Sequence, residues 1–200
     1  MTGSATRAPS NRRIRAFSPA RRGFSLVEML IVAVLLGLIA AFAVPRVNYE
    51  RYRADAAMRT LRVVLQGAQR NAIMRQTNVV VAFDMTNRKM IIVEDANNNC
   101  TWDSGERKSV RPLEEGAKFA IPASPYGAPA SAAVSGANTC TMLGFPAIQF
   151  LRDGAASTDL NAYVTSSRGT SADFRLIRVT MATGRTEAFR YTGTSWTRTN

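Results

Sequence analysis

Histidine is absent from the 200-residue chain, and with it go the commonest general base and the commonest protein ligand for a transition metal. No serine stands in the Gly-x-Ser-x-Gly spacing of a nucleophile elbow. An enzyme is therefore not expected, and no cofactor is required. Acids are missing from residues 1–23, where Arg7, Arg12, Arg13, Arg15, Arg21 and Arg22 stand unopposed. Without that segment the excess of 26 basic over 14 acidic side chains shrinks to 20 over 14, a modest bias that affects solubility and non-specific attraction more than it names a partner. Periodicity is also missing from residues 1–20, which are rich in Ser, Pro, Ala and Arg. They read as a disordered leader, too polar for a secretory signal peptide in its own right.

What the chain has instead is one apolar run, Phe24 to Val44, interrupted only by Ser25, Glu28 and Gly37. As a helix it would rise about 30 Å, the depth of a bilayer core. The arginines before it hold that end in the cytoplasm by the positive-inside rule, so residues after Pro45 face the other side. Glu28 is the anomaly. A carboxylate at such a place costs about 2.5 to 3.5 kcal/mol on insertion scales and calls for a partner. Cutting the chain between Gly23 and Phe24 would create an α-amine at the start of the helix, and the amine of one copy can neutralise Glu28 of the next. An uncut chain has no such amine, and an ordinary signal anchor has no use for the acid.

Gly23 followed by Phe24-Ser25-Leu26-Val27-Glu28 and an apolar run resembles the leader and N-terminal helix of type IV prepilins and type II secretion pseudopilins. The resemblance implies that a membrane aspartyl prepilin peptidase cuts after Gly23 and that Phe24 becomes the methylated N-terminus. It also implies that Glu28, fifth residue from Phe24, guides packing into a filament. Pro45 and Gly37 fall where such helices carry a Pro and a helix-weakening Gly. The expected organisation is a cleaved leader at 1–23, a transmembrane and assembly helix at 24–45, and a soluble β-rich domain at 46–200 that includes the second half of the helix.

Beyond Pro45 the helical pattern continues with a different character. Ala54, Ala57, Leu61, Val64, Leu65, Ala68 and Ala72 follow an i, i+3, i+4, i+7 rhythm, while Arg46, Arg51, Arg53, Arg59, Arg62 and Arg70 mostly fall elsewhere. One helix is predicted from about Phe24 to about Arg75, loosened at Pro45, with its second half lying across a sheet. Asn78–Phe83 and Lys89–Glu94 read as a hairpin turned at Asp84–Asn87. Short strands are expected around Ser109–Arg111 and Lys118–Ile121. Residues 122–146, rich in Ala, Ser, Gly and Pro, read as a long surface loop. Strands return at Ala147–Arg152, Asn161–Ser166, Asp173–Met181 and Arg185–Thr192. The sum is an α+β fold, a long N-terminal helix on an antiparallel β-sheet.

Between the hairpin and the next strand lies a loop dense in oxygen atoms. Asp95, Asn97, Asn99, Thr101, Asp103 and Glu106 match positions 1, 3, 5, 7, 9 and 12 of a calcium loop. The sixth position, which wants Gly, is Cys100, and the flanks read as strands; a plain Asx-rich turn is the other reading. Cys100 and Cys140 are the only cysteines. In an oxidising compartment such a pair is either bridged, which would pin this loop to the long one, or free.

The order of a prepilin helix, a strand pair, an Asp-x-Asn-x-Asn loop, an Ile-Gln-Phe strand and a terminal hairpin through Thr183-Gly184-Arg185 resembles the GspH/FimT group of minor pseudopilins and minor pilins. The group implies a structural subunit of a type IV pilus or type II secretion pseudopilus. It would be stored single-pass in the inner membrane lipid with a periplasmic C-terminal domain, and its partners are other pilins or pseudopilins and the prepilin peptidase. The alternative is a DNA-binding minor pilin for natural transformation. Some members bind DNA through Gly-Arg-x-Arg, and here Gly184-Arg185-Thr186-Glu187 has an acid in place of the second Arg. Arg185 and Arg190, with Arg175 and Arg178 one strand earlier, are the candidate phosphate contacts; an exposed, solvated sheet face is the plainer reading of all of them.

Overall fold

A computed structural model describes residues 23–43, 49–122, 132–137 and 140–199. The chain divides into two compact units, 1–47 and 48–200. In the first, α1 covers Leu26–Ala43. Its rise is about 27 Å, and among the described residues no helix is long and apolar enough to cross a membrane. The helix is shorter than the apolar run because Phe24 and Ser25 precede it, and Val44 lies outside the described residues. Pro45 and residues 1–22 of the leader lie outside them as well.

In the second unit α2 spans Tyr49–Arg75 and buries Ala54, Ala57, Met58, Leu61, Leu65, Ala68 and Ala72. This is the predicted face, with Met58 added and Val64 left at its edge. Small residues at 54, 57, 68 and 72 let the backbone approach closely, and Leu61 and Leu65 fill the centre. Fully burying each of those leucines is worth about 1.5 to 3 kcal/mol.

The strands form two antiparallel sheets where one was expected. The strands β1 (Asn78–Asp84), β2 (Lys89–Asp95), β3 (Lys108–Pro112), β6 (Cys140–Met142) and β7 (Phe145–Phe150) make a five-stranded sheet in the order β3-β2-β1-β7-β6. The other sheet runs β11-β10-β9-β8-β4, built from β4 (Ala117–Phe119), β8 (Leu160–Ser166), β9 (Arg175–Val179), β10 (Thr186–Tyr191) and β11 (Trp196–Thr199). A two-residue strand, β5 (Val134–Ser135), pairs with β8. The stretch expected to be one long loop therefore contains β5 and β6, and the final hairpin gains β11 as a partner for β10.

The inward faces of both sheets share one core beneath α2, where Val79, Val81, Phe83, Ile148 and Phe150 meet Leu160, Val164 and Ile177. Every residue of β1 is buried, because β2 and β7 flank it and its outer face, Val80 and Ala82, packs in a second cluster with Val93, Cys140, Met142 and Ala147. That explains its unbroken apolar run. Gln69 of α2 ties the sheets together: its Nε2 donates to the carbonyls of Gly154 at 2.7 Å and Thr183 at 2.8 Å. Gly184 must be glycine here. Its φ is +62°, and a Cβ would lie 2.2 Å from the Gly154 carbonyl oxygen.

Candidate functional site

The start of α1 is set by Ser25, whose carbonyl accepts the N–H of Met29 at 3.1 Å. Gly23 and Phe24 lie outside the helix and are exposed, as a peptide bond must be to enter a protease. Glu28 stands at the third helical position, three residues after Ser25, the spacing of a capping box. The unpaired N–H groups of a first turn favour a carboxylate there. Leu26, Val27, Leu30, Ile31, Val34, Leu35, Leu38 and Ile39 are all exposed. Together with the exposed Met29, Val32 and Leu36 they cover every side of the helix, so α1 has no polar face to give to water. A helix of this kind is stable only when a membrane or other helices surround it.

The Asn-rich loop closes on itself. Asp95 is 1% exposed and its carboxylate accepts the N–H groups of Asn99 at 3.1 Å and Cys100 at 3.0 Å, with the Gln149 amide at 3.4 Å. Glu106 accepts the N–H of Ala96 at 2.9 Å and of Asp103 at 3.1 Å. Asp103 accepts the side-chain amides of Asn97 and Asn99, both at 2.7 Å. These two bonds hold its carboxyl below the usual range against a smaller opposing effect of burial. Thr101 donates its N–H to Asn99 at 2.7 Å. Among the described residues no three acidic, His or Cys side chains are grouped to hold a metal ion. The missing glycine is not what distinguishes this loop, since Cys100 itself adopts the left-handed conformation at φ +57°. Asn98 bonds Asn78 and Gln149 and so anchors the loop to β1 and β7.

Cys100 and Cys140 are joined by a disulfide, with Cα atoms 5.9 Å apart. The bridge lies over the outer cluster of the first sheet and links the Asn-rich loop to β6.

The tail arginines are drawn to different partners, except that Arg175 and Arg190 share Asp55. Arg185 faces Glu187 at 3.5 Å, and Arg198 reaches the same carboxylate oxygen at 3.0 Å. Arg190 turns instead to the helix and donates to Asp55 at 2.9 Å. Arg178 lies over the ring of Phe189 at 5.3 Å and donates to Asn161. Arg175 overturns the expectation of a solvated side chain, because it is 1% exposed and donates Nε to Asp55 at 2.6 Å. Nothing in the sequence singles out Asp55. Burial would raise its carboxyl, but the Arg175 hydrogen bond and charge, with those of Arg190, hold it below the usual range.

Residues 18–44 match the prokaryotic N-terminal methylation motif. Over 87 residues the chain is 32% identical to the pilin-like protein PilA1 of Thermus thermophilus, a match that covers 43% of this chain and 56% of that protein. The N-terminal segment of the chain is prepilin-like. Over 42 residues the chain is also 40% identical to the type IV major pilin protein PilA of Myxococcus xanthus, covering 21% of this chain and 18% of that one. The chain thus spans little more than half the length of one of these relatives and under a fifth of the other. Among solved structures it resembles the minor pseudopilin EpsH of the Vibrio cholerae type 2 secretion system, with a TM-score of 0.42 and 10% identity over 74% of this chain and 96% of that one. The type IV minor pilin FimU of Pseudomonas aeruginosa gives 0.47 and 13% over 68% and 87%. Gly23, Phe24 and Glu28 all fall within the segment that the methylation motif covers.

Proposed function

We propose that this protein is a structural subunit of the GspH/FimT kind, cut between Gly23 and Phe24 by a prepilin peptidase, methylated on Phe24, and built into a type IV pilus or a type II secretion pseudopilus. Before assembly it is held single-pass in the inner membrane through residues 24–45, with the α2 and two-sheet unit in the periplasm. The observation that carries this reading is the helix α1, which is apolar on every side yet bears Glu28 in its first turn. Lipid or neighbouring helices satisfy the apolar surface, and the amine exposed on a neighbouring processed chain satisfies the carboxylate. A lone carboxylate at that depth costs about 2.5 to 3.5 kcal/mol, which pairing within a helix bundle offsets.

The reading with DNA as partner has no comparable support, because Arg185 and Arg190 already face Glu187 and Asp55. The test of the structural reading is Glu28→Ala in cells. The variant is expected to reach the membrane and lose its leader as the parent does, and to be depleted from sheared filaments at least about tenfold. Filament content equal to the parent's sinks the amine pairing.

A further inference from the structure

Strand β3 is a free edge of the first sheet, and every one of its residues is exposed. Glu94 donates its N–H to the Arg107 carbonyl at 2.9 Å, and Leu113 donates to that of Arg88 at 2.8 Å. In this antiparallel register the main-chain groups that point away from β2 are therefore those of Lys108, Val110 and Pro112. Proline has no N–H, so the edge offers the N–H groups of Lys108 and Val110 and the carbonyls of all three. Beside it lies a groove of about 210 Å³, lined by Ser109 and Arg111 of β3, Ile92 of β2 and Val63, Val64 and Gly67 of α2.

Gly67 stands in the lining of this groove without an internal reason. A glycine within a helix costs stability relative to alanine, yet a Cβ here would meet nothing within 4 Å, so packing inside the fold does not require its absence. Its smallness instead keeps the groove open to a group brought by another molecule. The charges select the occupant. Arg107, Ser109 and Arg111 alternate onto the α2 side of the edge, and neither arginine side chain has a hydrogen-bond or ion-pair partner among the described residues. Glu94, the acid opposite Arg107, is taken by Arg75 at 3.3 Å. On the other side Lys108 lies over the Trp102 ring at 3.8 Å. A second copy of β3 would bring like charges together, which disfavours pairing between two such edges. We propose that β3 is extended by an acidic strand-like segment of a partner protein, hydrogen-bonded to Lys108, Val110 and Pro112. Its side chains on the α2 side read acid, apolar, acid: the apolar one enters the groove beside Gly67, and the acids meet Arg107 and Arg111. The site lies wholly within the second unit and does not depend on processing at Gly23.

The test uses the full chain in neutral detergent micelles and a fluorophore-labelled peptide of sequence Ser-Glu-Thr-Leu-Thr-Glu-Ser, followed by anisotropy. Saturable one-to-one binding is expected, at least about tenfold tighter than that of the same peptide with lysine in place of glutamate. Three variants probe the parts of the site: Gly67→Leu fills the groove, Arg111→Glu reverses the charge, and Val110→Pro removes an N–H that β2 does not use. Each should weaken binding by at least about tenfold. Leucine is a better helix former than glycine, so Gly67→Leu should melt no lower than the parent, which separates its loss of binding from loss of fold. No saturation below about 1 mM peptide, parental affinity in Gly67→Leu, or equal binding of the lysine peptide overturns the proposal. So does self-association of the parent that Val110→Pro abolishes, because the occupant would then be a second copy.

Discussion

Nε of Arg175 lies 2.6 Å from Oδ1 of Asp55, a contact that joins a strand of the second sheet to the long helix across 120 residues of sequence. The arginine is buried and the aspartate is half-buried, so the pair is shielded from the solvent that weakens surface ion pairs.

Removing the acid should therefore be costly. Asp55→Ala leaves the Arg175 guanidinium buried with only carbonyl partners, and breaking such a pair on one side destabilises by about 3 to 5 kcal/mol. Arg190 is the control. Its side chain is 48% exposed, and Arg190→Gln is expected to cost no more than about 1 kcal/mol. Urea unfolding followed by circular dichroism measures both.

The same carboxylate shapes the response to acid. Asp55 and the buried Asp173 are both shifted down from the ordinary value of 3.8. For Asp173 burial acts upward and is outweighed by hydrogen bonds from Thr170, Ser166 and Arg168. As pH falls the unfolded chain takes up these protons first, so the stability the two groups contribute is full above about pH 4 and is lost as pH drops through the folded values. Melting temperature, followed from about pH 6 down to about pH 2, should fall steeply at the acid end. An Asp55→Asn variant should start lower and show a shallower fall.

Reduction of the Cys100–Cys140 bridge should loosen the outer face of the first sheet. The bridge closes a segment with a sequence separation of 40, and in the chain-entropy account a loop of that length contributes about 4 kcal/mol. A Cys100→Ala, Cys140→Ala double variant is expected to melt lower than the parent and to be indifferent to reductant. A parent whose melting point is equally indifferent would contradict the contribution assigned to the bridge.

The parts of this fold that could be read in advance are those with a long local pattern. The rhythm from Ala54 to Ala72 identifies the buried face of α2, and the paired β-branched runs around residues 79–83 and 89–94 identify the β1–β2 hairpin. Short elements carry no such pattern. β5, β6 and β11 are two to four residues long, and each is a strand only because β8, β7 or β10 offers it an edge to pair with. The distance between Cys100 and Cys140 likewise depends on β6 pairing Cys140 with Ala147 of β7, a register that neither segment encodes alone. Arg175 looks solvated in sequence for a related reason. Arg175, Ile177 and Val179 share the inward face of β9, and an arginine belongs there only because Asp55 arrives from the helix. At the N-terminus the reverse holds: the proposed processing and assembly site at Gly23, Phe24 and Glu28 is read from spacing alone, within the segment that matches the methylation motif.

The account rests on an amine created at Phe24, and the mass of the chain in its native membrane tests that directly. Purified from cells with an active prepilin peptidase, the protein should have the mass of residues 24–200 plus one methyl group, with Phe24 as its N-terminal residue by fragmentation. A chain recovered with residues 1–23 still attached would contradict the account.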